Sequence, residues 1–416
     1  MIHIKVRLNL YVVLAAESTF LMRRIRLELI LHGPKSENGL PAAYRLALEN
    51  AIELYIVSAY LTEWDPPATL NANCARFRII IGKDFGITRK AACSAVLSWL
   101  PPQKRSMFLV ADLVGGFHPK AAFWKDNADK CYAIVGSSNL TKAAFNGNFE
   151  VNVSTEISAA EFEYASNWIS EIEPLCVPVS EDWLAQYVES SQTGRKAGRA
   201  AQLEKMGKSV SQPVVSLKIP RPAGMVQELK NRRVVLENFK KKRTDLKKLL
   251  MKCADGGVTS SEFYEALRTY WGYDPGTRIQ YSGWERKGKA SNFSELSKSL
   301  LRVLSASKQL RDDFVQQEID RLADLRVPTR KALFSELLCL HFPKSYPLLN
   351  SPVEWYLEQN KFRAPRGSTE GGHYIDLSRK LRAALKQNPN HPAKTLAELD
   401  AVIFLEKKRH DARKSA

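Results

Sequence analysis

Five polar side chains in a short segment, residues 117–153, have the types and spacing needed to attack a phosphodiester. They are His118, Lys120, Ser137, Asn139 and Glu150. Side chains two residues apart on an extended strand point to the same side, so the imidazole of His118 and the ammonium of Lys120 should converge. Ser137 and Asn139 repeat this spacing after a second apolar run and can bring a hydroxyl and an amide to the same phosphate. The segment therefore predicts a site for phosphodiester chemistry.

The same segment resembles the phospholipase D superfamily, whose motif reads H-x-K, then an acidic residue, then G-S-x-N. The match comprises His118-Pro-Lys120 and Gly136-Ser137-Ser138-Asn139. The following Leu-Thr-Lys-Ala-Ala is similar to the small bacterial nucleases of that superfamily more than to its lipases.

The resemblance implies a role for each residue of the motif. One histidine attacks phosphorus to give a phosphohistidine, and a second histidine protonates the leaving group. Lys120 and Asn139, assisted by Ser137, would hold the phosphate oxygens, and Glu150 would orient the imidazole of one histidine. No cofactor and no metal ion is expected.

The acidic position of the motif departs from the family pattern. The family has an aspartate five residues after the lysine, whereas this chain has Lys125 there, with Asp126 one residue later and Asp129 beyond. Asp126 is the candidate supporting acid. The alternative is that both aspartates are solvated surface residues.

The chain contains a single H-x-K motif, and its other histidines have no comparable context. They are His3, His32, His341, His373, His391 and His410. Since the chemistry implied by the resemblance needs two histidines, a complete site requires two chains. We therefore expect a homodimer with a composite active site on its two-fold axis.

The charge of the chain predicts a polyanionic partner. The 416 residues carry a formal net charge of +18, and residues 191–252 contain 17 Lys and Arg against 4 Asp and Glu. Cations placed on phosphates release counterions, which favours nucleic acid, with DNA preferred to RNA. The alternatives are a solvated helix face and a basic helix on a membrane surface. The candidate nucleic-acid-binding residues are Lys240, Lys241, Lys242, Arg243, Lys247 and Lys248.

The cysteine pattern and the hydropathy favour a cytoplasmic protein without stable membrane insertion. The six cysteines form no C-x-x-C pair, which is typical of reduced thiols and not of a zinc site. No run reaches the roughly 20 apolar residues of a membrane span. Residues 1–24 are interpreted as an N-terminal extension, with a weak secretory signal as the alternative.

Hydrophobic periodicity predicts an α/β fold: a phospholipase D-like mixed sheet flanked by helices, followed by a mostly α-helical C-terminal domain. The catalytic domain is assigned to residues 25–186, a basic linker and helix to 187–255, and a helical domain that binds nucleic acid or a partner to 256–416. Gly371-Gly372-His373 is predicted as a loop. Trp271 and Trp284 are interpreted as core residues, with base stacking as the alternative.

These observations favour a metal-independent nuclease, an endonuclease acting in restriction or antiviral defence. The defence role depends on a weak resemblance of residues 328–357 to helical domains of bacterial restriction and defence proteins. One alternative is a phospholipase or phosphatidyl transferase with the same phosphohistidine chemistry. Another is a noncatalytic nucleic-acid-binding subunit, or an effector that is silent until a partner such as an ATPase activates it.

Overall fold

The computed structural model of the chain describes residues 7–16, 19–33, 39–190, 213–215, 217–271, 276–279 and 291–415. The chain divides into two compact units, Met1–Val214 with Pro365–Gly367, and Val215–Ala364 with Ser368–Ala416. Part of the predicted basic linker and helix, residues 191–212 and 216, lies outside the described residues, as does Trp284. The four-part division made from the sequence stays a prediction.

The first unit is built on a nine-stranded mixed sheet with the strand order β1-β2-β8-β7-β6-β3-β4-β5-β9. The β3–β4 and β4–β5 pairs are parallel and the other pairs are antiparallel. The strands are β1 Arg7–Ala16, β2 Thr19–His32, β3 Ala51–Ser58, β4 Arg76–Ile81, β5 Phe108–Val110, β6 Lys120–Asp126, β7 Cys131–Gly136, β8 Glu150–Ile157 and β9 Val177–Pro178.

Five helices accompany the sheet in the described part of this unit. They are α1 Leu40–Asn50, α2 Lys90–Trp99, α3 Lys142–Asn146, α4 Ala159–Ile172 and α5 Glu181–Gln186. Phe162 and Ile169 of α4 pack with Tyr55 and Val57 of β3 in one buried cluster. Strand β3 is almost wholly apolar, as expected for a strand in the interior of a sheet. The predicted mixed sheet flanked by helices is confirmed.

The start of the first unit differs from the sequence-based expectation. Residues 1–24 were interpreted as an extension, but β1 covers Arg7–Ala16 and pairs antiparallel along its whole length with β2, which begins at Thr19. Residue 24 therefore lies inside a strand. The apolar run that was interpreted as part of an extension is rich in Val, Leu and Tyr, and such a run can pair as a strand.

The second unit is helical in its described residues, which confirms the predicted helical C-terminal region. Its helices are α6 Met225–Ala254, α7 Ser260–Tyr270, α8 Phe293–Ser305, α9 Arg311–Asp324, α10 Ala332–His341, α11 Ser351–Gln359, α12 Glu370–Gln387 and α13 Leu396–Ser415. The apolar side of α6, including Phe239, Leu246 and Leu250, is buried in the largest cluster of this unit. Trp271 belongs to the same cluster and is 1% exposed, so it is a core residue and cannot stack on a base.

The segment Gly371-Gly372-His373 is helical, whereas a loop was predicted there. Helix α12 begins at Glu370, and the Thr369 side chain accepts a hydrogen bond from the Gly372 amide. A Cβ at Gly371 would collide with the backbone oxygen of Gln316 in α9. The glycine pair therefore reflects the close approach of two helices and not a turn.

Candidate active site

His118 and Lys120 converge at the start of β6. Lys120 is the first residue of the strand, and His118 lies in the loop that leads into it. The Lys120 Nζ is 3.0 Å from the His118 Nδ1 and 3.1 Å from the backbone oxygen of His118. The His118 side chain is exposed, so a substrate can reach it.

The loop before His118 is anchored on both sides. The Gly116 amide donates a 2.7 Å hydrogen bond to the Asp84 carboxylate, and Phe117 is buried in the core beneath the sheet. The ring of Tyr60 stands edge-on to the imidazole with 5.9 Å between ring centroids. These contacts restrict where the imidazole can lie.

Ser137 and Glu150 form a second part of the site where β7 ends and β8 begins. The Ser137 hydroxyl donates to one carboxylate oxygen of Glu150, and Asn148 donates to the other oxygen at 3.0 Å. The Val151 amide donates to the Ser137 oxygen at 3.1 Å. Within one chain the Glu150 carboxylate is therefore held by Ser137 and Asn148 and is not hydrogen-bonded to the imidazole of His118.

Ser58, the last residue of β3, joins the two parts of the site. It pairs with Lys120 in the β3–β6 register, and its hydroxyl lies 3.5 Å from the Asn139 Oδ1. The Ser58 Oγ accepts a 3.0 Å hydrogen bond from the Leu140 amide. Because the Asn139 oxygen faces Ser58, its NH2 group is free to face a phosphate. The sequence alone did not identify Ser58 as a site residue, because it is only a small residue at the end of an apolar run.

The electrostatics of the pair keep the imidazole neutral at pH 7. Partial burial, and secondly the charge of Lys120, lower the pKa of His118 below its usual 6.5. Partial burial also lowers the pKa of Lys120, and the negative charge of Glu150 opposes that effect. A neutral imidazole beside an ammonium is suited to attack an anionic phosphodiester.

The structure places Asp126 outside this cluster, which corrects its assignment as a supporting acid. Its carboxylate accepts hydrogen bonds from the amides of Ala128 and Lys130 and from the Tyr132 hydroxyl. Asp126 thus caps the β6–β7 turn. It lies at the opposite end of β6 from Lys120, roughly 20 Å away at the usual rise per residue.

The candidate nucleic-acid-binding residues lie together on α6 and are exposed. Lys240 and Lys248 make ion pairs with neighbouring acids of the same helix, at 2.5 Å to Glu237 and 3.5 Å to Asp245. The full set is Lys240, Lys241, Lys242, Arg243, Lys247 and Lys248. These side chains face solvent while the opposite side of the helix is buried.

The described residues lack a metal-ligand cluster and a helix that could cross a membrane. Over these residues, no group of three or more His, Cys, Asp and Glu is arranged to hold a metal ion. None of the described helices combines the length and apolar character that a membrane crossing requires.

Comparisons with known proteins give weak structural similarity alone. No protein-family model matches the chain, and no curated protein matches it. NucT from Helicobacter pylori is 15% identical with a TM-score of 0.29, over 37% of this chain and 99% of that chain. Phosphatidylserine synthase from Haemophilus influenzae Rd KW20 is 14% identical with a TM-score of 0.27, over 46% of this chain and 47% of that chain. This chain therefore spans about half the length of the second structure.

Proposed function

We propose that the protein is a metal-independent nuclease of the phospholipase D superfamily that cleaves nucleic-acid phosphodiesters through a phosphohistidine. The observation that carries this proposal is the 3.0 Å contact between His118 and Lys120, with Asn139 beside Ser58, the β3 residue that pairs with Lys120. This arrangement supports a nucleophile, a cation and an amide donor acting on one phosphate.

The chemistry can proceed with these side chains alone. A neutral imidazole nitrogen of His118 attacks phosphorus, the P–O bond to the leaving oxygen breaks, and an imidazolium gives that oxygen a proton. Water then attacks the phosphohistidine and gives a proton to the imidazole that protonated the leaving oxygen, so that the P–N bond breaks and both imidazoles return to their starting forms. Lys120, Asn139 and Ser137 stabilise the charge on the nonbridging oxygens.

The second imidazole would come from a second copy of the chain, which makes the proposed enzyme a homodimer. Large apolar side chains on β2, β7 and β8, next to Ser137 and Glu150, are unusually exposed: Leu31 57%, Val135 49% and Val151 54%. Leu31 pairs with Val151 in the register, and Val135 shares their face of the sheet. An apolar surface beside an incomplete site supports a partner that completes the site. In that dimer Glu150 would orient one of the two imidazoles.

The charge distribution supports nucleic acid as the substrate, with DNA favoured. The exposed side of α6 presents six cations suited to phosphate contacts, on a helix with 10 Lys and Arg against 3 Asp and Glu. Roles in restriction or antiviral defence, and an ATPase partner, remain part of the proposal.

The decisive assay offers DNA, RNA and phosphatidylglycerol to the purified protein in excess EDTA. We expect cleavage of nucleic acid to persist, because no step above passes through a metal ion. A requirement for magnesium would count against the mechanism. Release of lipid headgroup without nuclease activity would favour the phospholipase, and activity only with an added partner would favour the partner-activated effector.

Replacing Ser58 with alanine should lower kcat by about tenfold or more and leave KM nearly unchanged. The change removes the acceptor of the Leu140 amide and the donor to the Tyr60 oxygen, so the segment that carries Asn139 would shift, and misplacement of a group that stabilises the transition state affects the chemical step. Ser180→Ala is the matched control, since Ser180 is also a buried serine whose hydroxyl is hydrogen-bonded, to Asp182 at 2.5 Å. Equal losses in both variants would show that Ser58 acts only through stability.

A further inference from the structure

A cavity of about 290 Å³ adjoins the candidate active site. Its walls combine the aromatic rings of Tyr44, Trp64 and Phe145 with the charged side chains of Glu63, Asp65 and Lys142. Ligand sites of this kind are mostly apolar with a few polar groups that fix orientation.

The two segments that build the active site continue as walls of this cavity. Leu140, which lines the cavity, directly follows Asn139. Tyr60, whose ring contacts His118, lies four residues before Trp64. The two segments are held together where the Thr62 amide donates a 3.0 Å hydrogen bond to the Leu140 oxygen. In the proposed nuclease, a group bound in the cavity would therefore be part of the nucleotide next to the attacked phosphate.

Two polar groups of the cavity walls, the indole N–H of Trp64 and the carboxylate of Asp65, are available to a ligand. The indole N–H of Trp64 is buried and has no hydrogen-bond partner among the described residues. In contrast, Trp99, which packs on Trp64 with centroids 5.0 Å apart, donates its N–H to the Ala68 oxygen. Glu63 is 3.6 Å from Lys142, whereas Asp65 is exposed and has no ion pair in the described part of the chain.

We propose that this cavity binds a nucleobase with an exocyclic amino group, namely adenine, guanine or cytosine, beside the scissile phosphate. The inference rests on the proposed nuclease function and adds a base preference to it. The ring would contact the aromatic walls, a ring acceptor would take the Trp64 N–H, and the amino group would donate to Asp65. A phosphate would be repelled by the Asp65 carboxylate, and an acyl chain would leave the indole N–H of Trp64 unpaired.

The test compares oligonucleotides of dA, dC and dT with an oligomer of abasic residues. We expect wild-type kcat/KM to be at least about fivefold higher for dA and dC than for dT. Trp64→Ala should lower kcat/KM at least about fivefold on base-bearing substrates and leave the abasic oligomer unchanged. Asp65→Ala, which removes the acceptor oxygens, should remove the preference for amino-bearing bases, and Asp255→Ala, the same change at an exposed aspartate of the second unit, should not.

One further variant and one further substrate keep the outcomes separate. Trp64→Phe retains an aromatic ring and removes the N–H, so it should fold even where Trp64→Ala does not and should still lower kcat/KM on base-bearing substrates alone. Either of two results would overturn the base site and leave the nuclease proposal standing. One is equal cleavage of all oligomers by the wild type. The other is an equal loss of kcat/KM by Trp64→Ala on abasic and base-bearing substrates. If no oligomer is cleaved, the nuclease proposal fails and the base site with it. A phospholipid cleavage that depends on an amine headgroup and on Asp65 would then assign the cavity to that headgroup.

Discussion

Purified protein with His118 replaced by alanine should cleave nucleic acid at least about 10³-fold more slowly than the wild type and bind it equally well. The substitution removes the nucleophile of the first step, and neither Lys120 nor Ser137 offers a comparable neutral nitrogen. Binding should persist because the exposed cations of α6 are unchanged. Cleavage rates and equilibrium binding measured on the same preparation test both parts.

The matched control is His373→Ala, which removes an exposed histidine from the helical second unit and should leave cleavage unaffected. The pH profile adds a second check on the nucleophile. Because the pKa of free His118 is lowered, its neutral form persists below pH 6.5, so the acid limb of the kcat/KM profile should lie below that value, and the alkaline limb should report loss of the imidazolium that protonates the leaving oxygen. Full cleavage by His118→Ala protein would refute the mechanism.

Replacing Val151 with glutamate should convert the dimer into monomers and reduce cleavage by about 100-fold or more. Val151 is 54% exposed on the same face as Leu31 and Val135, so a charge there costs a monomer little. In the dimer the same carboxylate would be buried against a second apolar surface, which is strongly unfavourable. Each monomer would retain His118 and Lys120 but would lack the second imidazole.

Solution mass and cleavage are measured together for this variant and for Val188→Glu. Val188 is 80% exposed in the same unit and is not part of the sheet, so its substitution should change neither property. A wild-type protein that is monomeric and fully active would disprove the composite site. A Val151→Glu protein that is monomeric and still active would also disprove the composite site.

The convergence of His118 and Lys120 could be predicted because it depends only on local spacing next to a strand. The mixed sheet flanked by helices and the helical C-terminal region could likewise be predicted, since the apolar periodicity of their strands and helices is regular. Local patterns of this kind do not depend on contacts with distant parts of the chain.

Features that depend on distant contacts could not be predicted. Ser58 acquires its role only because β3 pairs with β6, and the Gly371 pair is helical only because α9 packs against it. Asp126 has the residue type expected for a supporting acid, but the length of β6 carries it to the far end of the strand. In each case the sequence shows the residue type, but it does not show which distant residue will lie in contact with it.

In the proposed mechanism, the resting contact between Lys120 and His118 would let the substrate change the basicity of the nucleophile. Partial burial, and secondly the charge of Lys120 with its Nζ 3.0 Å from the ring, lower the pKa of His118 in the free protein. A bound phosphodiester would place a negative charge beside the ammonium and oppose its effect on the ring. The imidazole would then be a stronger base when an anion is bound than in the free protein.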